Sequence, residues 1–96
     1  MDIEKALKNT IKSGKVFLGT NRTLKAIKNN QAKLVIIASN CPEEIEGEIK
    51  RANVHLYKYK GSNLELGTVC GKPFPVSTLA VIDDGKSGIL ALGEKK

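Results

Sequence analysis

Apolar residues in this chain recur at helical intervals in some stretches and as short runs in others, and the two patterns alternate along its length. Ile3, Ala6, Leu7 and Ile11 lie three and four positions apart. This spacing predicts a helix that Asp2 caps and Ser13-Gly14 ends, with Lys5, Lys8 and Lys12 on its other face. Val16 to Leu18 reads as a strand that stops at Gly19, and Leu24 and Ile27 then return at helical spacing behind a Thr20/Asn21 cap until Asn29-Asn30-Gln31 closes the turn. Leu34 to Ala38 is apolar without a break, the pattern of a strand covered on both faces.

Ser39-Asn40-Cys41-Pro42-Glu43-Glu44 has the makings of a helix start: a polar cap, a proline near the first helical position, then two acids at the positive end of the dipole. Ile45, Ile49 and Ala52 supply its inward stripe, and Val54 to Tyr59 is rich in strand formers. Ser62 and Glu65 have the spacing of a capping box, so a short fourth helix is predicted to run to about Cys70 and stop at Gly71. Two prolines bracket Phe74 in Lys72-Pro73-Phe74-Pro75-Val76 and hold that stretch out of a helix. Leu79 to Ile82 predicts a last strand turned by Asp83-Asp84-Gly85, and Ser87 to Leu92 fits a short strand or a helical turn equally. Alternating helices and strands, with no repeat, linker or low-complexity stretch, predict one three-layer α/β/α domain over residues 1–96.

Charge adds direction to this picture. Sixteen basic residues stand against ten acidic ones, and residues 1–40 hold eight basic and two acidic side chains while residues 41–96 hold eight of each. The net charge of +6 therefore sits in the first 40 residues, which favours a directed polyanion-binding surface, nucleic acid before an anionic membrane. Met1-Asp2-Ile3-Glu4-Lys5 has the character of neither a signal nor a transit peptide, and no apolar run reaches spanning length, so a cytosolic setting is expected. Cys41 and Cys70 are too far apart for a Cys-x-x-Cys pair.

The strand-turn-helix unit at residues 15–28 concentrates the candidate chemistry. Gly19 allows a bulky partner close to the main chain, and the helix beginning at Thr20-Asn21 presents free N–H groups where a phosphate is attracted. Arg22, Lys25 and Lys28 follow at three-residue intervals and form a basic stripe, although a solvated face opposite Leu24 and Ile27 has the same pattern. Phe74, one of four aromatics, sits in a stiff loop where a ring either stacks on an unpaired base or folds back over the core. Tyr57 and Tyr59 suit packing against a helix better than a stacking surface. Cys41 near a helix start raises the different possibility of a small cytosolic thiol enzyme, but His55, the one histidine, lies in a predicted strand and supplies no evident base. Asp83-Asp84-Gly85 is turn chemistry, and neither a P-loop nor a Gly-x-Gly-x-x-Gly fingerprint is present.

Three separated segments resemble one family. Gly19-Thr20-Asn21-Arg22-Thr23-Leu24-Lys25 is similar to the Gly-x-Asn-x-x-x-Lys element that opens the RNA-binding helix of the kink-turn-binding superfamily of ribosomal proteins. Residues 33–42 resemble its central strand and following loop, and Glu65-Leu66-Gly67-Thr68 with Gly71-Lys72-Pro73-Phe74 resembles its fourth helix and exit loop. Leu79 to Gly85, Ser87 and Ile89-Leu90 extend the likeness over nearly the whole chain, to the thirty-e family of the archaeal and eukaryotic large subunit. The resemblance implies a mixed four-stranded sheet, no catalysis and no cofactor, with kinked or internal-loop ribosomal RNA and neighbouring ribosomal proteins as partners of a chain that is monomeric when free. It implies that Gly19, Asn21 and Lys25, with Thr20 and Lys28 beside them, meet the kinked backbone and adjacent purine edges. Asn40 would lie in the adjoining loop, and Phe74 with Val76, flanked by Lys72 and Pro73, would receive an extruded base. Arg22 stands where the sister branch of small kink-turn proteins has Glu, which removes carboxylate recognition of a guanine edge and suits phosphate instead. A kink-turn-binding component of a small guide-RNA or processing particle is the alternative within RNA binding.

Overall fold

The computed structural model describes residues 3–52, 54–83 and 85. Within them the chain runs α1 (Ile3–Ser13), β1 (Lys15–Leu18), α2 (Thr20–Lys28), β2 (Leu34–Ile37), α3 (Glu43–Arg51), β3 (Leu56–Lys58), α4 (Asn63–Val69) and β4 (Thr78–Asp83). The strands form one mixed sheet in the order β1-β4-β2-β3: β4 lies antiparallel to both β1 and β2, and β3 lies parallel to β2. Four helices cover the two faces of this four-stranded sheet, giving the α/β/α sandwich that the alternating pattern predicts.

The unbroken apolar run of β2 is explained by that layering. All four of its residues are buried, because successive side chains point to opposite faces and both faces are covered. Leu34 and Ile36 pack with Ala6 and Leu7 of α1, Leu66 and Val69 of α4, and Leu79 and Val81 of β4. Val35 and Ile37 pack on the other side with Ile49 of α3, and with Leu24 and Ile27 of α2 against them. Tyr59 is buried in the first of these cores and Tyr57 packs against it, so both tyrosines serve packing.

Several predicted boundaries shift, each for a local reason. Helix α2 begins at Thr20 with Gly19 as its cap, not behind a Thr20/Asn21 cap, and no side chain caps it. Helix α3 begins at Glu43 with Pro42 in the cap position, so the polar residues ahead of it do not cap it. Ala52, expected on the inward stripe, is the exposed C-cap of α3. Strand β3 is confined to three residues, with His55 just before it, although the Tyr59 amide still donates to the Ile37 carbonyl at 2.8 Å. The capping box forms as predicted: the Ser62 hydroxyl accepts from the Glu65 amide and the Glu65 carboxylate accepts from the Ser62 amide. At the other end of α4, Gly71 takes a left-handed conformation with φ 74°, and the Lys72 amide reaches back to the Gly67 carbonyl and the Gly71 amide to that of Thr68. These two bonds make a Schellman motif. Asp2, Asp84 and the segment from Ser87 to Leu92 lie outside the described residues.

Candidate nucleic-acid interface

Backbone hydrogen bonds gather the candidate loops at one end of the sheet. The Gly19 amide donates to the Thr78 carbonyl at 2.8 Å, which ties the end of β1 to the start of β4. The Ala38 amide donates to the Ser77 carbonyl at 2.8 Å and the Ser39 amide to that of Gly61 at 3.0 Å, adding the loops after β2 and β3. The Val76 amide donates to the Asn63 carbonyl at 2.9 Å, so the loop that carries Phe74 returns to the start of α4 at the same end. The antiparallel course of β4 is what turns its leading loop toward the trailing loops of β1 and β2.

The turn at Gly19 is open. Its backbone stands at φ 105° and ψ 153°, a region that glycine alone occupies readily, and a methyl group added there would meet no atom within 4 Å. No side chain caps α2, and the amides of Thr20, Asn21 and Arg22 donate to no group among the described residues. With 3.6 residues per turn, Asn21, Lys25 and Lys28 fall within an arc of about 60° on α2, while Arg22 looks about 100° away from Asn21. All four are exposed, and Thr20 is half-buried. The stripe read from the sequence is therefore two adjoining faces of one helix. No acidic residue occurs between Glu4 and Glu43, so nothing local neutralises either face. The acids of α3 are gathered elsewhere, where Glu46 bonds Lys50 at 3.1 Å and Lys58 at 3.5 Å. Its carboxyl is held below the usual range chiefly by the hydrogen bond from Lys50.

The second half of the candidate site is the loop after α4. Lys72, Pro73 and Phe74 are exposed, with Phe74 at 50%. Val76 departs from the expectation that it receives a base beside Phe74, since it is 2% exposed and belongs to the core under α1 and α4. The chain bends at Pro73 and Phe74, so two side chains that an extended chain would put on one face part, the valine turning inward and the ring staying outside. Two further residues carry this loop. A β-carbon on Gly67 would collide with the Phe74 carbonyl oxygen and sit 3.3 Å from the Pro75 α-carbon, so the absence of a side chain there lets the loop cross α4 in direct contact. A glycine in the middle of a seven-residue helix is the signal that could have marked it. Asn63 accepts from the Asn40 amide group at 3.2 Å, donates its backbone N–H to the Asn40 side-chain oxygen at 2.9 Å and reaches the Ser77 hydroxyl at 3.3 Å. No sequence pattern pointed to Asn63. Asn40, a candidate contact residue, thus ties the loop after β2 to the start of α4 and is itself exposed.

Cys41 is buried with its sulfur 3.5 Å from the Thr78 hydroxyl oxygen, and Cys70 is buried with its thiol pushed up to about 11 by desolvation. Both sulfurs are buried, which takes away the exposure that a thiol nucleophile needs. Among the described residues no group of three or more His, Cys, Asp or Glu side chains could hold a metal ion, and no helix is long and apolar enough to cross a membrane.

Residues 1–91 match the model of the ribosomal protein L7Ae/L30e/S12e/Gadd45 family. The large ribosomal subunit protein eL30 of Methanocaldococcus jannaschii is 46% identical over 100 residues, covering all of this chain and 91% of the relative. The eL30 protein of Methanospirillum hungatei is 47% identical over 93 residues, covering 96% of this chain and 98% of the relative, and that of Methanosarcina mazei is 45% identical over 91 residues, covering 95% and 88%. With matches of this extent to the family model and to several archaeal eL30 proteins, the chain belongs to the ribosomal protein L7Ae/L30e/S12e/Gadd45 family, on its eL30 branch.

Proposed function

We propose that this chain is a structural constituent of the large ribosomal subunit, in which its single domain binds kinked or internal-loop ribosomal RNA as a monomer beside neighbouring ribosomal proteins. The observation that carries the reading is the open Gly19 turn, with three amides of α2 that donate to no group among the described residues, at the same end of the sheet as the exposed Phe74 ring. Phosphates of a sharply bent strand meet the Thr20, Asn21 and Arg22 amides at the positive end of the helix dipole, and Lys25 and Lys28 flank them. The Asn21 carboxamide, on the same face, offers a donor and an acceptor to a purine edge. Lys72 adds charge from the facing loop, while Phe74 stacks on a base that the bend has extruded. Gly67 and Asn63 position that loop, and the exposed Asn40, bonded to Asn63, meets RNA from the adjoining loop.

Titration of the chain with a kinked RNA tests this division of roles. Lys25→Ala weakens binding to every RNA that presents the bend, whereas Phe74→Ala costs roughly 1–3 kcal/mol only where an unpaired base is available. Equal affinity of the Phe74→Ala variant and the unaltered chain for such an RNA would remove the stacking role.

A further inference from the structure

Alternation along β1 sends Val16 and Leu18 toward the core under α1 and leaves Phe17 on the opposite face, at the outer edge of the sheet. There Phe17 and Ala26 floor a groove of about 370 Å³ rimmed by Arg22, Lys25, Asn29 and Gln31. The ammonium of Lys15 stands over the ring, 5.4 Å from its centroid. Arg22, Ala26 and Asn29 follow one another at four- and three-residue intervals, so they form the face of α2 next to the one that carries Asn21, Lys25 and Lys28. Lys25 borders both. The groove thus begins beside the N-terminal amides of α2 and continues toward the C-terminal end of that helix.

Its chemistry is specific in kind. A half-buried aromatic ring lies among three cations, and among the described residues no carboxylate lines the groove and the two side-chain amides at its far end make no hydrogen bond. The ligand that suits this set is flat, apolar in part and negatively charged, and the volume falls within the range of small-ligand pockets, roughly 300–1,000 Å³. We infer that this groove is a second RNA subsite that takes one unpaired nucleotide from the strand leaving the bend. The base lies on Phe17 in place of the Lys15 ammonium, the phosphate meets Arg22, Lys25 and the displaced Lys15, and Asn29 and Gln31 face the base edge. An acidic peptide would satisfy the cations but would leave the aromatic floor without a partner. The inference rests on the RNA-binding reading above and extends it along α2.

The test compares two RNAs of the same kinked duplex, one blunt and one carrying a three-nucleotide unpaired extension, each titrated against the full chain. The extension is expected to tighten binding about tenfold, within the range of one stacked base. Phe17→Leu, which keeps an apolar side chain under α2 and hence the fold, abolishes that gain and leaves the blunt affinity within about twofold; Phe17→Tyr retains the gain. Tight binding of the blunt RNA with no benefit from the extension, or a benefit that survives Phe17→Leu, overturns the groove alone. Failure of both RNAs to bind overturns the RNA reading and the groove together. Displacement of the extension by an equal concentration of an oligoglutamate peptide would overturn base stacking in favour of charge.

Discussion

Gly19 does two things that no other residue type combines. It holds a backbone conformation at φ 105° and ψ 153° that costs other residues on the order of 1–3 kcal/mol, and it keeps the turn open, with no atom within 4 Å of where a β-carbon would stand. Gly19→Ala meets no steric neighbour, so its cost is backbone strain together with a methyl group standing where a phosphate would approach. The expected outcome is a lower melting temperature corresponding to about 1–3 kcal/mol, with a loss of RNA affinity measured well below the transition, where the variant is folded. Phe74 and Val76 show how finely a loop sorts its side chains. They are two positions apart, yet the ring is half in solvent while the valine is a core residue. Leu64, 65% exposed on the first turn of α4, is the other large apolar residue on the surface of the described chain.

Contacts between secondary-structure segments fix the loops more firmly than the loops fix themselves. The exit loop of α4 lies against the helix because Gly67 has no side chain, and Gly67→Ala would drive a β-carbon into the Phe74 carbonyl oxygen. That variant is expected to lose about 1–3 kcal/mol of stability, as overpacking does, and to weaken binding of RNAs that use the Phe74 ring; a urea titration beside the RNA titration reads both. Tyr59, the residue after β3, is linked to α1 through its hydroxyl, which donates to the Glu4 carboxylate at 3.1 Å. Burial, helped by that bond, raises its ionisation from 10.0 to about 12. A group whose folded pKa is raised contributes stability that is complete below the unfolded value and is lost as pH climbs through the folded one. Stability is therefore expected to fall from about pH 10 upward and to have lost this contribution by about pH 12. Tyr59→Phe should flatten that decline, which thermal melts across the range would show.

Taken as one body, the molecule separates its charges. The stretch from Lys5 to Pro42 carries basic residues and no acids, whereas α3 gathers Glu43, Glu44, Glu46 and Glu48 and pairs one of them with Lys50 and Lys58. Cations that meet phosphate release counterions, and each such contact adds roughly 0.7–0.9 to the slope of log affinity against log salt. Lys25→Ala is expected to lower that slope by about one contact, and Glu46→Gln, remote in charge from the interface, to leave it unchanged. Affinities measured between low and moderate salt for both variants decide the point.

Much of this was legible in the chain itself, because caps, glycines and apolar spacing act over four or five residues. The unbroken apolar run at Leu34 to Ala38 required cover on both faces, the Ser62/Glu65 box and Gly71 bounded α4, and Gly19 marked the passage from strand to helix. The places where the reading shifted, at Thr20, Pro42 and Ala52, are ends of helices, where neighbouring polar residues compete for one cap and tertiary contacts choose between them. The sequence by itself thus determined the alternation of elements, the basic leading half and the residues suited to phosphate and base. Only the tertiary structure decided that β4 inserts between β1 and β2, that the Gly19 turn shares an end with the Phe74 loop, that Val76 turns inward and that Asn40 is engaged with Asn63. Those outcomes depend on pairing between strands far apart in the chain and on direct contact between a loop and a helix, and local periodicity carries no information about either.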